Sequence, residues 1–164
     1  MSARAAILSA IRAAAVPAAP APEQLAPAER DNLIDHFMRT LSEVSGRGIV
    51  RHLDQSVEQT VAELVDVNRV GVVVVRGRFA VAENAAVYVD ADDLDARNSI
   101  VLAEHLVVVV PLNAIVPTMH EAVRLIPSDS ACGWFLSGPS KTADIEQSLV
   151  IGAQGSRTHT VIFD

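Results

Sequence analysis

Cysteine is nearly absent: Cys132 is the only one in 164 residues. A disulfide framework needs pairs, and an iron–sulfur cluster needs several thiolates, so this chain alone holds neither. Cys132 reads instead as a small buried hydrophobe. Aromatic residues are scarce as well, 4% of the chain against 50% hydrophobic residues, so the core is expected to be aliphatic. An excess of positive charge is also missing. The formal net charge of −7 argues against nucleic acid and anionic membrane as partners. No apolar run reaches the ~18 residues of a membrane span. Near the start, Arg12 cuts the run Ala5–Ile11 at the short end of what a signal peptide uses. The expectation is a soluble, cytoplasmic protein. Five histidines, His36, His52, His105, His120 and His159, show no HExxH or paired spacing, so no metal site is expected.

What is present is an alternation of helical and strand patterns. Ser2–Ala15 carries Ile7, Leu8 and Ile11 on one helical face. Val16–Pro27 has the Ala/Pro composition of a semi-rigid linker. Glu29–Val44 places Leu33, Ile34, Phe37, Met38 and Leu41 on one stripe. Residues 1–47 therefore read as an N-terminal helical arm with its linker, and 48–164 as an α/β domain. Within the latter, Ile49–Leu53 predicts a strand and Ser56–Val65 a helix. Gly71–Val75 is a β-branched run expected of a strand covered on both faces. Arg76-Gly77-Arg78 reads as a turn into Phe79–Ala82, and Glu83-Asn84 as a tight turn into Ala86–Val89. Asp90–Asp95 reads as a solvated acidic loop. Leu106–Val110 predicts another buried strand, Pro117–Leu125 a helix opened by proline, and Thr158–Phe163 the closing strand. Strands alternating with helices, plus one hairpin-like insertion, give an α/β sandwich.

The most informative stretch is Trp134–Gly155. Trp134-Phe135-Leu136 is a short strand that ends in the small-polar turn Ser137–Thr142, and Ile145 and Leu149 suggest an amphipathic helix. Thr142 would be its N-cap, with Asp144 and Glu146 at the positive end of the helix dipole. The turn is not a phosphate loop, because Pro139 and Ser140 separate Gly138 from Lys141.

Ser137–Glu146 (S-G-P-S-K-T-A-D-I-E), then Leu149-Val150-Ile151-Gly152 and Gly155, resembles the signature of the LutC/YkgG family, lactate utilisation protein C, built on the LUD domain. Arg4 to Arg12 resembles the family's opening helix, and His105–Val109 its His-led strand. Ala82-Glu83 falls at its Ala-Glu-Thr-Gly turn. The resemblance implies a three-layer-like α/β sheet with flanking helices, the fold shared by sugar-phosphate isomerases and CoA transferases (NagB/RpiA/CoA-transferase-like). It implies a subunit of an L-lactate oxidation system with no cofactor in this chain. The iron–sulfur clusters would reside in separate, cysteine-rich partner subunits.

Two groups of residues are candidates for chemistry. Glu83 lies in Ala82-Glu83-Asn84, similar to the Ser-Glu-Asn-Gly turn whose Glu is the nucleophile of class I CoA transferases. It is the catalytic candidate of an alternative reading, a stand-alone acyl-CoA or sugar-phosphate enzyme; the other side of the balance is a turn carboxylate that bonds nearby amides. Here Asn84-Ala85-Ala86 replaces the family's Thr-Gly-Thr, and Gln154-Gly155-Ser156 its His-Gly-Pro. Those departures suggest a third reading, a degenerate interaction module. Ser137, Gly138, Ser140, Lys141, Thr142 and Asp144 form the substrate-binding candidate, a pocket of hydroxyls and one ammonium for a small organic acid. The same side chains can instead satisfy their own loop.

Overall fold

Three long β-branched runs form the spine of the protein, and hydrophobic alternation decides what covers them. The computed structural model describes residues 2–14, 32–64, 71–90, 97–128, 130, 132–144 and 147–164; the Val16–Pro27 linker lies outside them. In chain order the elements are α1 (Ala3–Ala13), α2 (Leu33–Glu43), β1 (Arg47–Val50), α3 (Val57–Leu64), β2 (Val72–Arg76), β3 (Phe79–Val81), β4 (Ala86–Asp90) and α4 (Arg97–Leu102). Then follow β5 (His105–Val110), β6 (Ile115–Val116), α5 (Met119–Arg124), β7 (Gly133–Leu136), β8 (Lys141–Thr142), β9 (Val150–Ile151) and β10 (Thr158–Phe163).

One sheet has the order β1-β10-β5-β2, with every neighbouring pair parallel. Parallel strands need crossovers that cover both faces, which is why Leu106–Val110 of β5 and Val161–Phe163 of β10 are continuously apolar rather than apolar on alternate positions. On one face, Val107, Val109 and Ile162 pack against Val61 of α3. Leu106, Val108, Val110, Val161 and Phe163 project to the other face.

That second face meets another sheet. The expected hairpin β3–β4 recruits β6 and β7 to give a four-stranded sheet, β6-β3-β4-β7. Ala80, Val87 and Val89 point from it into the same core cluster as Val108 and Phe163. Its outer face carries Phe79, Val81, Ala86 and Tyr88, closed by Ala122 of α5. Phe79 and Tyr88 stack there with ring centroids 5.1 Å apart. The α/β class with a parallel sheet and flanking helices is thus observed, with two sheets face to face between helices.

The amphipathic stripe of α2 packs onto the core through Leu33, Phe37, Met38 and Leu41. Phe37 and Leu41 are completely buried in the main cluster, and Phe37 meets Phe163 edge-on at 5.1 Å. By contrast, α1 has no buried residue. Three local expectations are corrected. Asp90 is no solvated loop residue: it ends β4, is buried, and pairs with Arg78 at 3.1 Å; residues 91–95 lie outside the described part. Cys132 is exposed rather than buried, because it falls in the loop before β7. The helix after Thr142 is absent among the described residues. Lys141-Thr142 pairs antiparallel with Val150-Ile151, and Gln147 takes a left-handed φ of 57° that a helix does not accommodate; residues 145–146 lie outside the described part. No helix among the described residues is long and apolar enough to cross a membrane.

Candidate functional site

The two stretches singled out from sequence meet. Ser137 Oγ donates to the carbonyl of Asn84 at 2.7 Å, which ties the loop after β7 to the β3–β4 turn. This contact follows from register: β7 runs antiparallel to β4 with Leu136 opposite Val87, so the end of β7 arrives beside the turn that precedes β4.

In that turn, Glu83 Oε2 accepts the backbone N–H of Met119 at 2.8 Å, and the N–H of Glu83 donates to the carbonyl of Pro117 at 3.1 Å. Met119 opens α5, so the exposed carboxylate meets one of the helix's unpaired amides at its positive end. Asn84 Oδ1 accepts from the N–H of Ala86 at 3.1 Å, an Asx-type turn. Ala85, which stands where the CoA-transferase pattern has glycine, still adopts a left-handed φ of 53°. Its methyl group is fully buried in the main core, which offsets part of the cost of that conformation.

The Ser137–Asp144 loop is fastened just as closely. Gly138 has φ 69°, and a Cβ there would lie 2.5 Å from the carbonyl oxygen of Val44, so this position requires glycine. The Lys141 ammonium donates to that same carbonyl. Val44 is the C-cap of α2, and the cation therefore sits at the negative end of the helix. Ser140 holds the facing loop: its N–H donates to Ser156 O at 2.9 Å, its carbonyl accepts from Gly152 N at 2.8 Å, and its hydroxyl accepts from Gln154 N at 3.3 Å. Thr142 lies in β8, where its hydroxyl accepts from the N–H of Asp144 at 3.5 Å instead of capping a helix.

Val44 precedes β1 and Ser156 precedes β10, so this cluster covers the amino ends of the parallel strands. Behind it lie two histidines. His105 Nδ1 bonds Thr158 Oγ1 at 2.8 Å, while its buried Nε2 has no partner among the described residues. His159, opposite Leu106 in register, is fully buried, and neither ring nitrogen is bonded among the described residues. Burial pushes its pKa down to about 4, so it is neutral near pH 7. Among the described residues no group of three metal-ligating side chains converges.

The opposite edge went unnoticed in the sequence. At the carboxyl ends of β2, β5 and β10, a cavity of about 300 Å³ is lined by Arg76, Gly77, Val109, Pro111 and Asp164. The available signal was Arg76 directly after four valines, at the carboxyl end of a parallel strand, where open α/β sheets take their ligands.

Known proteins agree with this architecture. The LUD domain family matches residues 65–163. Lactate utilization protein C 1 of Bacillus mycoides (strain KBAB4) is 39% identical over 94 residues, covering 52% of this chain and 40% of that protein. Lactate utilization protein C of Shouchella clausii (strain KSM-K16) is 31% identical over 111 residues, 64% of this chain and 45% of that protein. The chain thus spans under half the length of these relatives. A DUF162 family protein from Deinococcus radiodurans, solved by crystallography, superposes with a TM-score of 0.51 over 84% of this chain and 99% of that one. At 14% identity it speaks for the fold alone. With the family match running from before β2 to the end of β10, the chain belongs to the LUD domain family.

Proposed function

We propose that this chain serves in lactate utilisation as a LutC-like accessory subunit, working with separate iron–sulfur proteins that carry the electrons of L-lactate oxidation. One observation carries the non-catalytic part of this reading. Glu83, the candidate nucleophile, spends a carboxylate oxygen on the first amide of α5, and the Ser137–Lys141 side chains are bonded to the fold's own backbone. Groups committed in this way position loops. The lactate part is supported by relatives named lactate utilization protein C, matched over 52% and 64% of this chain. The single cysteine is consistent with clusters carried by partners.

The test is an anaerobic pull-down with the full chain as bait in its own cell lysate, followed by assay of bound protein for iron and acid-labile sulfide. Co-purified iron–sulfur proteins are the expected result. A clean, iron-free monomer or homo-oligomer would overturn the subunit reading and move the search to stand-alone chemistry.

A further inference from the structure

The carboxyl-end cavity shares no residue with the Ser137–Lys141 cluster and lies at the other end of the parallel strands. Its volume of about 300 Å³ stands at the small end of ligand pockets. The walls are rigid. Gly77 N donates to Val109 O at 2.8 Å, Asp164 N to Val110 O at 2.9 Å, and Leu112 N to Asp164 O at 2.8 Å. A Cβ on Gly77 would lie 2.4 Å from Val87 and 2.9 Å from Val110, so the turn after β2 packs closely on the core and takes no larger side chain there.

Two opposite charges line the cavity, and their circumstances differ. Asp164 Oδ1 accepts Arg51 Nε at 2.7 Å, with a second bond from the same guanidinium. That pairing compensates the carboxylate's charge and leaves Oδ2 able to accept another donor. Arg76 has no hydrogen bond or ion-pair partner among the described residues. Glu58, fully exposed at the start of α3, lies within the field of Arg76 and Arg51, but water screens it. The cavity therefore presents an uncommitted guanidinium fork, a hydrogen-bond acceptor, and the apolar surface of Val109 and Pro111.

We propose that this cavity binds a small 2-hydroxycarboxylate. The carboxylate pairs with the Arg76 fork, the hydroxyl donates to Asp164 Oδ2, and the short alkyl group lies against Val109 and Pro111. Small 2-amino acids offer the same anion with an adjacent donor. The choice of the hydroxy acid within that class rests on the lactate reading above.

The test is calorimetric titration of the full chain with L-lactate, pyruvate, L-alanine and inorganic phosphate. L-lactate should bind saturably at one site and more tightly than pyruvate, which has no donor for Asp164. Arg76→Gln should weaken lactate binding about 10- to 100-fold. The thermal unfolding of the free protein should barely move, since the side chain is exposed and makes no hydrogen bond or ion pair among the described residues. Asp164→Asn, which keeps an acceptor for Arg51, should narrow the lactate-to-pyruvate ratio. Absence of saturable lactate binding, or equal affinity in Arg76→Gln, overturns the site. Tighter L-alanine overturns the hydroxy-acid assignment, and equal binding of phosphate and lactate reduces the cavity to a bare anion site. The two proposals separate cleanly. Iron–sulfur partners without lactate binding would sink the cavity alone, and lactate binding with an iron-free pull-down would sink the subunit role alone.

Discussion

Ser137 Oγ and the carbonyl of Asn84 lie 2.7 Å apart, a bond across 53 residues that joins the loop after β7 to the β3–β4 turn. The bond is exposed, so water replaces it when it is lost. Ser137→Ala should therefore cost about 1 kcal/mol, and Ser137→Thr, which keeps the hydroxyl, less. Urea unfolding followed by circular dichroism reads the difference. A cost above about 3 kcal/mol would mean that the loop does more than tie two turns.

Glu83 separates a structural carboxylate from a chemical one. Glu83→Gln preserves an acceptor for the N–H of Met119 and should leave the melting temperature within a few degrees. Glu83→Ala removes the acceptor and should cost about 0.5–2 kcal/mol, the range of a lost helix cap. Partner capture should survive in the Gln variant. If any turnover assigned to the purified chain disappears on Glu83→Gln while stability holds, the carboxylate is doing chemistry.

The contact of Gly138 and Lys141 with one carbonyl, that of Val44, fixes how the signature loop sits on α2. Gly138→Ala must accept φ 69° and a Cβ 2.5 Å from that oxygen. The left-handed conformation alone costs about 1–2 kcal/mol, so a loss of more than about 2 kcal/mol is expected. Lys141→Met removes a cation from a helix C-terminus and should cost roughly 0.3–1 kcal/mol, less at high salt. Salt titration of both variants checks this: the lysine effect should fade, and the glycine effect should not.

The parts legible in the sequence were those where one periodicity dominates. The valine run of β5, the Val161–Phe163 end of β10 and Phe37 with Leu41 are buried as their patterns demand. The run of β2, expected to be covered on both faces, is not: β2 is the edge strand of its sheet and Val74 is 47% exposed. The stretch after Thr142 was misread because Ile145 and Leu149 stand four apart, a helical spacing. The chain there instead pairs Lys141 with Ile151 and leaves Leu149 exposed. A two-residue strand carries no periodicity, so β6, β8 and β9 had no local signal. The Ser137 and Glu83 stretches could each be picked out, but their meeting depends on the antiparallel register of β4 and β7, a long-range fact. The cavity is harder still to foresee, since Arg76, Pro111 and Asp164 come from three strand ends brought together only by the order β10-β5-β2.

Buried His159 makes stability depend on pH in a defined window. Its pKa falls from 6.5 to about 4 through burial. Above pH 6.5 both folded and unfolded states hold the ring neutral, and it contributes no pH dependence. Between pH 6.5 and about 4 the unfolded chain takes up a proton that the folded chain refuses, so stability falls as pH falls. The loss should be about 2 kcal/mol between pH 7 and pH 5 and about 3 kcal/mol once both states are protonated. Neither ring nitrogen has a partner among the described residues, so His159→Leu removes buried polar atoms that cost about 1–3 kcal/mol unpaired. The variant should be at least as stable as the parent at pH 7, and its stability should stay nearly flat down to pH 5. Chemical denaturation of both proteins at pH 7, 6 and 5 measures the two slopes. Equal slopes would show that another group titrates on unfolding and that His159 is solvated in the native state.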